Sequence, residues 1–371
     1  MTAQVTESVS QRSLTLLSRL LLQANSGTSS FALLREDLEP GQLNFTRDEF
    51  AGLVDFASSN HVNVRGLEVY LDLVREGADS TRSDWAENAL ASERARIETA
   101  LSFLGDICAA FHEHHYKVAV IKSLDHWPDL GSDLDLYTDA KPHDVCNLMM
   151  KRFGAQVASR SWGDRLAHKW NFLLPGLPEA VEIHIGRLGQ TGEQVAVAKT
   201  LLERTQPVLI GGHEFRVPSF QDRLMISTLQ RMYRHFYFRL CDVVDSARLM
   251  DSGAVDFRVL RSSAQVAGIW EGVATYLAIV SDYVERFRGF GLGLPRFVLE
   301  SARFRGDLLY LSRGFLRVPI MPESARLYGT QLAGVLARRE LRSGARLSLL
   351  PWLATAALVG QKLTGSDKGI W

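Results

Sequence analysis

Residues 118–138, VAVIKSLDHWPDLGSDLDLYT, decide the fold. They read as an apolar, β-branched strand (VAVI) closed by Lys122 and Ser123, then a turn, then a second strand, DLDLYT. Side chains alternate along a strand, so Asp133 and Asp135 share one face while Leu134 and Leu136 turn to a core. Two carboxylates side by side repel each other and resist desolvation. A hard divalent cation such as Mg²⁺ relieves that cost, because it takes carboxylate oxygens. A bare Asp-x-Asp is more often a solvated strand face, so its neighbours must decide.

Helical periodicity precedes this stretch over residues 93–116. After it, Pro142 in a first turn opens a helix to about Phe153. Residues 165–174 and 181–186 form an expected hairpin across PGLPEA. In its second strand Val181, Ile183 and Ile185 share one face, Glu182 and His184 the other. If that strand lies beside the aspartate strand, Glu182 joins Asp133 and Asp135; otherwise it is an exposed strand acid, and His184 a hydrogen-bonded structural histidine. His168 and Trp170 are further candidates to line the site. A shorter hairpin, 207–217, turns at Gly211-Gly212, and Pro218 marks a boundary.

From 220 to 288 the pattern is helical, chiefly in SFQDRLMISTLQRMYRHFYFRLCDVVDSARLM. Arg239 and Asp242 are three apart and His235 and Arg239 four apart, which puts them on one helix face. That face is either a surface ion pair or a polar wall over a ligand.

The N-terminal part is expected to be helical, with no chemical constellation before about residue 105. Residues 13–24 form an amphipathic helix stopped by Asn25-Ser26-Gly27. Thr46 caps the next helix, with Glu49 completing a capping box. Residues 66–75 form another, and a longer helix begins near Trp85. The string His112-Glu113-His114-His115 lacks the second histidine four residues after the first that a zinc-protease helix needs; Tyr116 stands there. It reads as a solvated helix end, where histidine suits the dipole. The last 80 or so residues read as helical, basic and broken by Gly and Pro. Within them, apolar 347–359 is interrupted by Pro351 and too short for a span. It suits a packed core helix better than one lying on a membrane surface.

The chain has 371 residues and zero net charge, so nothing pulls it as a whole toward nucleic acid or anionic membrane. Charge is uneven: the first 80 or so residues lean acidic, and those beyond about 285 are arginine-rich. Cys108, Cys146 and Cys241 are far apart and odd in number, which points to reduced thiols in a cytoplasmic protein without a thiolate metal site. The N-terminus, MTAQVTESVSQRS, has no basic n-region or long apolar stretch, so no signal peptide is expected.

A helix, a strand ending in a small polar residue, and a strand carrying Asp-x-Asp resemble the opening of the DNA polymerase beta-like nucleotidyltransferases. The chain resembles one branch, the uncharacterised nucleotidyltransferases, from about residue 90 to 290. There the first strand typically ends in Lys-Gly, matched by Lys122-Ser123, and the second alternates aspartate with apolar residues, matched by Asp133-Leu134-Asp135-Leu136. A later apolar-acid-apolar-His strand is matched by Val181-Glu182-Ile183-His184, and a helix with an arginine and aspartates by Arg239, Asp242 and Asp245. Two positions depart: Ser123 replaces the glycine, and Asp129-Leu130-Gly131-Ser132 stands where an arginine usually precedes the first aspartate.

The resemblance implies an α+β fold: a mixed β-sheet core (106–218) flanked by an N-terminal helical region (1–105) and a C-terminal one (219–371). It implies Asp133, Asp135 and Glu182 as catalytic metal ligands for Mg²⁺ or Mn²⁺. It implies Lys122, Ser123, His184, Arg239 and Asp242 as a nucleotide-binding set. The expected reaction moves a nucleoside monophosphate from a nucleoside triphosphate, ATP among them, to a hydroxyl of a small molecule or peptide. Alternatives are a catalytically silent nucleotide- or partner-binding module, and a toxin-like enzyme modifying transfer RNA. Zero net charge disfavours nucleic acid as a partner.

Overall fold

The computed structural model describes residues 2–23, 38, 41–188, 194–349 and 351–352. Among the described residues four helices come first: α1 (Thr2–Gln23), α2 (Arg47–Ser59), α3 (Asn63–Glu76) and the long α4 (Ser80–Glu113). Thr46 and Glu49 form the expected capping box at the start of α2. At the end of α4 the His112–His115 string is exposed.

The chain then builds a five-stranded mixed sheet from β1 (Val118–Val120), β2 (Asp133–Thr138), β3 (Gln156–Val157), β4 (Lys169–Leu173) and β5 (Ala180–Ile185), in the order β1-β2-β5-β4-β3. β2 and β5 run parallel, so the chain must cross over between them. It does so through α5 (Pro142–Phe153), the short α6 (Trp162–Leu166) and the two strands between. The other pairings in this sheet are antiparallel. The expected hairpin 165–174/181–186 is thus β4 with β5, except that Arg165 belongs to α6, where Ser161 and Asp164 form a capping box.

After α7 (Gln194–Leu201), β6 (Gln206–Ile210) and β7 (His213–Val217) make a separate two-stranded sheet. Gly211 and Gly212 both have positive φ, as a tight two-residue hairpin requires. The helix expected from residue 220 onward is interrupted. α8 (Phe220–Thr228) runs into a π-turn, Leu229–His235; Phe236 is left-handed; and Tyr237–Phe238 forms β8 before α9 (Leu240–Asp251) begins. His235 and Arg239 therefore do not share a helix. α10 (Phe257–Ala267) and α11 (Trp270–Arg288) follow, and α11 is buried on nearly every side, as its all-round apolar sequence demands.

The last part is not purely helical. After α12 (Arg296–Ser301), β9 (Tyr310–Ser312) pairs with β10 (Phe315–Arg317), which pairs on its other side with β8. α13 (Ala325–Ala337) follows. Most of the apolar 347–359 stretch, and the Asn25-Ser26-Gly27 stop, lie outside the described residues. One continuous buried cluster runs from Leu14 to Leu327 and joins the helices to the sheet. No described helix is long and apolar enough to cross a membrane.

Candidate active site

The turn after β1 is the first piece of the site. Lys122 has φ 64 and ψ −58, and the Ser123 N–H donates to the Ile121 carbonyl at 2.7 Å. This is the rare γ-turn with positive φ, a strained geometry for a lysine. It aims the Lys122 ammonium at the sheet, where it pairs with Asp135 and lies 3.7 Å from Glu182. Ser123, at the place of the family's glycine, fastens the turn to β2. Its hydroxyl accepts from the Asp135 N–H at 2.8 Å and donates to the Asp133 carbonyl at 3.1 Å.

In the parallel register Asp135 stands opposite Glu182, and Asp133 opposite Ala180, so three carboxylates gather at one end of the β2–β5 pair. Glu182 is held on both oxygens: Oε1 accepts from His184 Nε2 at 2.8 Å and Oε2 from Lys169 Nζ at 2.7 Å. Lys169 also meets Asp164 at 3.0 Å. Burial opposes charge on Glu182, but Lys122, then His184, then Lys169 outweigh it and hold the carboxyl well below its ordinary range. Asp133 goes the other way: although it is exposed at the mouth of the cleft, partial desolvation of its carboxyl and the charges of Asp135 and Glu182 raise its pKa to about 6.

Asp133, Asp135, Glu182, Lys122, Ser123 and Lys169 line one cavity. Across it stand Gln230, Arg231, Arg234, His235, Tyr237 and Arg239, from the π-turn, β8 and the residue before α9. The Nε atoms of Arg234 and Arg239 are buried without a hydrogen-bond partner. Burial, with Arg234 and Arg231 close by, keeps His235 well below the usual imidazole range.

Two members of the expected nucleotide-binding set do not line the cavity. Asp242 lies behind it, pairing with Arg231 Nε at 2.8 Å and accepting from the Arg239 N–H at 2.6 Å. His184 is fully buried behind Glu182. His168 and Trp170 also fall outside the lining. Trp170 pairs with Ile183, whereas Lys169 pairs with His184 and so shares the carboxylate face. The alternation that selects Glu182 selects Lys169 by the same parity.

The N-terminal helices contribute residues that no sequence signal marked. His61, between α2 and α3, lines the cavity with His126 from the turn. Arg65 is buried and donates to Asp129 and Asp245, both at 2.6 Å. The Asp129-Leu130-Gly131-Ser132 departure acquires a reason here. Asp129 also accepts from the Val64 N–H at 2.6 Å and so seats α3. A Cβ at Gly131 would come within 2.9 Å of the His61 ring. Arg96 of α4 meanwhile donates to the Leu130 carbonyl at 3.0 Å and pairs with Glu179, fixing the entries to β2 and β5.

The model of the uncharacterised nucleotidyltransferase family matches residues 76–285, more than half of the chain. The chain belongs to this family. No curated protein matches it. In this chain the matched segment carries the whole five-stranded sheet and both cavity walls, while His61 and Arg65 precede it.

Proposed function

We propose that the protein moves a nucleoside monophosphate from a nucleoside triphosphate to a hydroxyl on a small-molecule or peptide acceptor. One juxtaposition supports this most: Asp133, Asp135 and Glu182 share a cavity with Arg231, Arg234 and Arg239. The carboxylates suit a hard divalent cation and the arginines a polyphosphate.

The donor set fits such a cation. Asp135 Oδ1 is buried, accepts no hydrogen bond, and has the Lys122 ammonium against it. Asp133, Asp135 and Glu182 would hold Mg²⁺ or Mn²⁺, which when bound lowers the pKa of the acceptor hydroxyl and neutralises triphosphate charge. The chain's own groups do the rest. Lys169 and His184 keep Glu182 ionised and in place, and Ser123 holds the two aspartates in register. The acceptor oxygen, its proton released to solvent, bonds to the α-phosphorus while the bond to the pyrophosphate bridging oxygen breaks. Lys122, Arg234 and Arg239 take up the charge on the departing pyrophosphate, so catalysis is mainly positioning and charge stabilisation.

One observation favours a second reading, a silent nucleotide-binding module. Lys122 already neutralises Asp135, and both Glu182 oxygens are engaged by Lys169 and His184. The readings part in an assay of pyrophosphate release with each nucleoside triphosphate, Mg²⁺ or Mn²⁺, and a panel of hydroxyl acceptors. Metal-dependent release lost in Asp135→Asn supports the enzyme. Metal-dependent binding without any release supports the silent module.

A further inference from the structure

A second cluster lies at the same cavity, with different chemistry. His61, His126 and Cys241 bring one ligand atom each to within 4.8 Å of one another. They come from the α2–α3 junction, the turn after β1, and the first turn of α9. The chain spacing of the cysteines argued against a thiolate metal site, but the partners of Cys241 are histidines that only the fold supplies.

We propose that His61, His126 and Cys241 bind a borderline-soft transition-metal ion, best fitted by Zn²⁺. Nitrogen and thiolate donors prefer such an ion, whereas the nearby oxygen-only carboxylates prefer Mg²⁺ or Mn²⁺. His126 is oriented as a ligand would be, because its Nδ1 bonds the Asp245 carboxylate and its Nε2 faces Cys241 Sγ at 3.8 Å. A carboxylate behind a ligating histidine is a recurrent device for fixing tautomer and ring direction. Asp245 is itself anchored, because its other oxygen accepts from Arg65 at 2.6 Å. The third donor is independent evidence. His61 is 9% exposed and its Nδ1 is buried with no hydrogen-bond partner. A buried imidazole nitrogen left unpaired is costly unless something completes it. Gly131 keeps space for that ring, since a Cβ there would meet His61 Cε1 at 2.9 Å.

Three protein ligands leave a fourth tetrahedral position, the pattern of zinc sites that accept water or a substrate atom. His61 and His126 line the cavity, so that position faces the space shared with the carboxylates. The cavity would then hold two chemically distinct metal centres. This inference stands apart from nucleotidyl transfer, since a silent module would keep the same three donors.

The test is a Co²⁺ titration of the full-length, metal-stripped protein, followed by displacement with Zn²⁺. One Co²⁺ per chain should give a thiolate-to-metal charge-transfer band and the intense visible bands of tetrahedral coordination. One equivalent of Zn²⁺ should abolish both, and Mg²⁺ should not. Cys241→Ser should remove the charge-transfer band although Cys108 and Cys146 remain. Asp245→Asn should weaken Zn²⁺ binding by roughly 10–100-fold while keeping the band. If the serine variant does not fold, His61→Gln replaces it, with the band retained and Zn²⁺ affinity reduced at least tenfold. A wild-type titration without a thiolate band, a band that survives Cys241→Ser, or unchanged affinity in His61→Gln would overturn the proposal. The three residues would then be only a hydrogen-bonded histidine–cysteine pair beside a packed histidine.

Discussion

The carboxylate wall of the cavity is regular sheet, in which Asp133, Asp135, Glu182 and Lys169 take their places from strand alternation and register. The arginine wall is irregular backbone: a π-turn, a left-handed Phe236, two residues of strand and the start of a new helix. The first wall is set by local periodicity. The second is set by contacts far apart in sequence, such as Tyr237 against Phe315 with ring centroids at 4.6 Å. Under the proposed function the difference divides the roles: regular sheet would hold the oxygens offered to a metal in a fixed geometry, and irregular backbone would let several long cations converge on one anionic ligand.

The support beneath the irregular wall should be the most sensitive point. Arg65→Ala removes the guanidinium shared by two buried carboxylates, leaving Asp129 with the Val64 N–H and Asp245 with His126, which should cost about 3–5 kcal/mol in denaturant unfolding. Within the wall itself, Arg234→Ala or Arg239→Ala should weaken nucleoside triphosphate binding by about 1.5–3 kcal/mol each in calorimetry, with the fold intact. Affinity unchanged in both would mean that this wall does not meet the phosphates.

The regular wall is sharpened by smaller changes. Ser123→Ala strands the Asp135 N–H and should destabilise the protein by about 1–3 kcal/mol in chemical denaturation. Asp133 supplies a pH signature. Its pKa, raised from 3.8 to about 6 in the metal-free cleft, exceeds the unfolded value. The folded state therefore holds that proton more tightly, and ionised Asp133 subtracts stability above about pH 6. Asp133→Asn should raise the metal-free melting temperature at pH 8, and the gain should largely close by about pH 4. A gain constant across that range would mean that the charge of Asp133 is not what the cleft resists.

The contrast also explains what was legible in the sequence. Alternation located Asp133, Asp135 and Glu182, and capping chemistry located α2. His168 and Trp170 were named without an alternation argument and fall outside the lining, whereas alternation carried one strand further would have reached Lys169. Helical periodicity ran straight through residues 229–239, because the π-turn residues 229–235 suit a regular helix equally well and the two-residue strand Tyr237–Phe238 is too short to show a period of its own. β9 and β10 were missed because strands of three residues carry almost no periodicity, although Arg313 and Gly314, both with positive φ, mark their turn. Nothing near His61 or Arg65 in sequence announces a site; the two carboxylates that Arg65 meets lie 64 and 180 residues away.

The central claim is that the carboxylate edge acts as one unit in nucleotidyl transfer. Pyrophosphate release by the wild type, Asp133→Ala, Asp135→Asn and the double variant tests it most directly. Groups serving one transition state are non-additive, so each single change should lower the rate by on the order of 10³-fold and the double by little more. Rate losses that multiply in the double variant, or single variants as active as the wild type, would contradict the account.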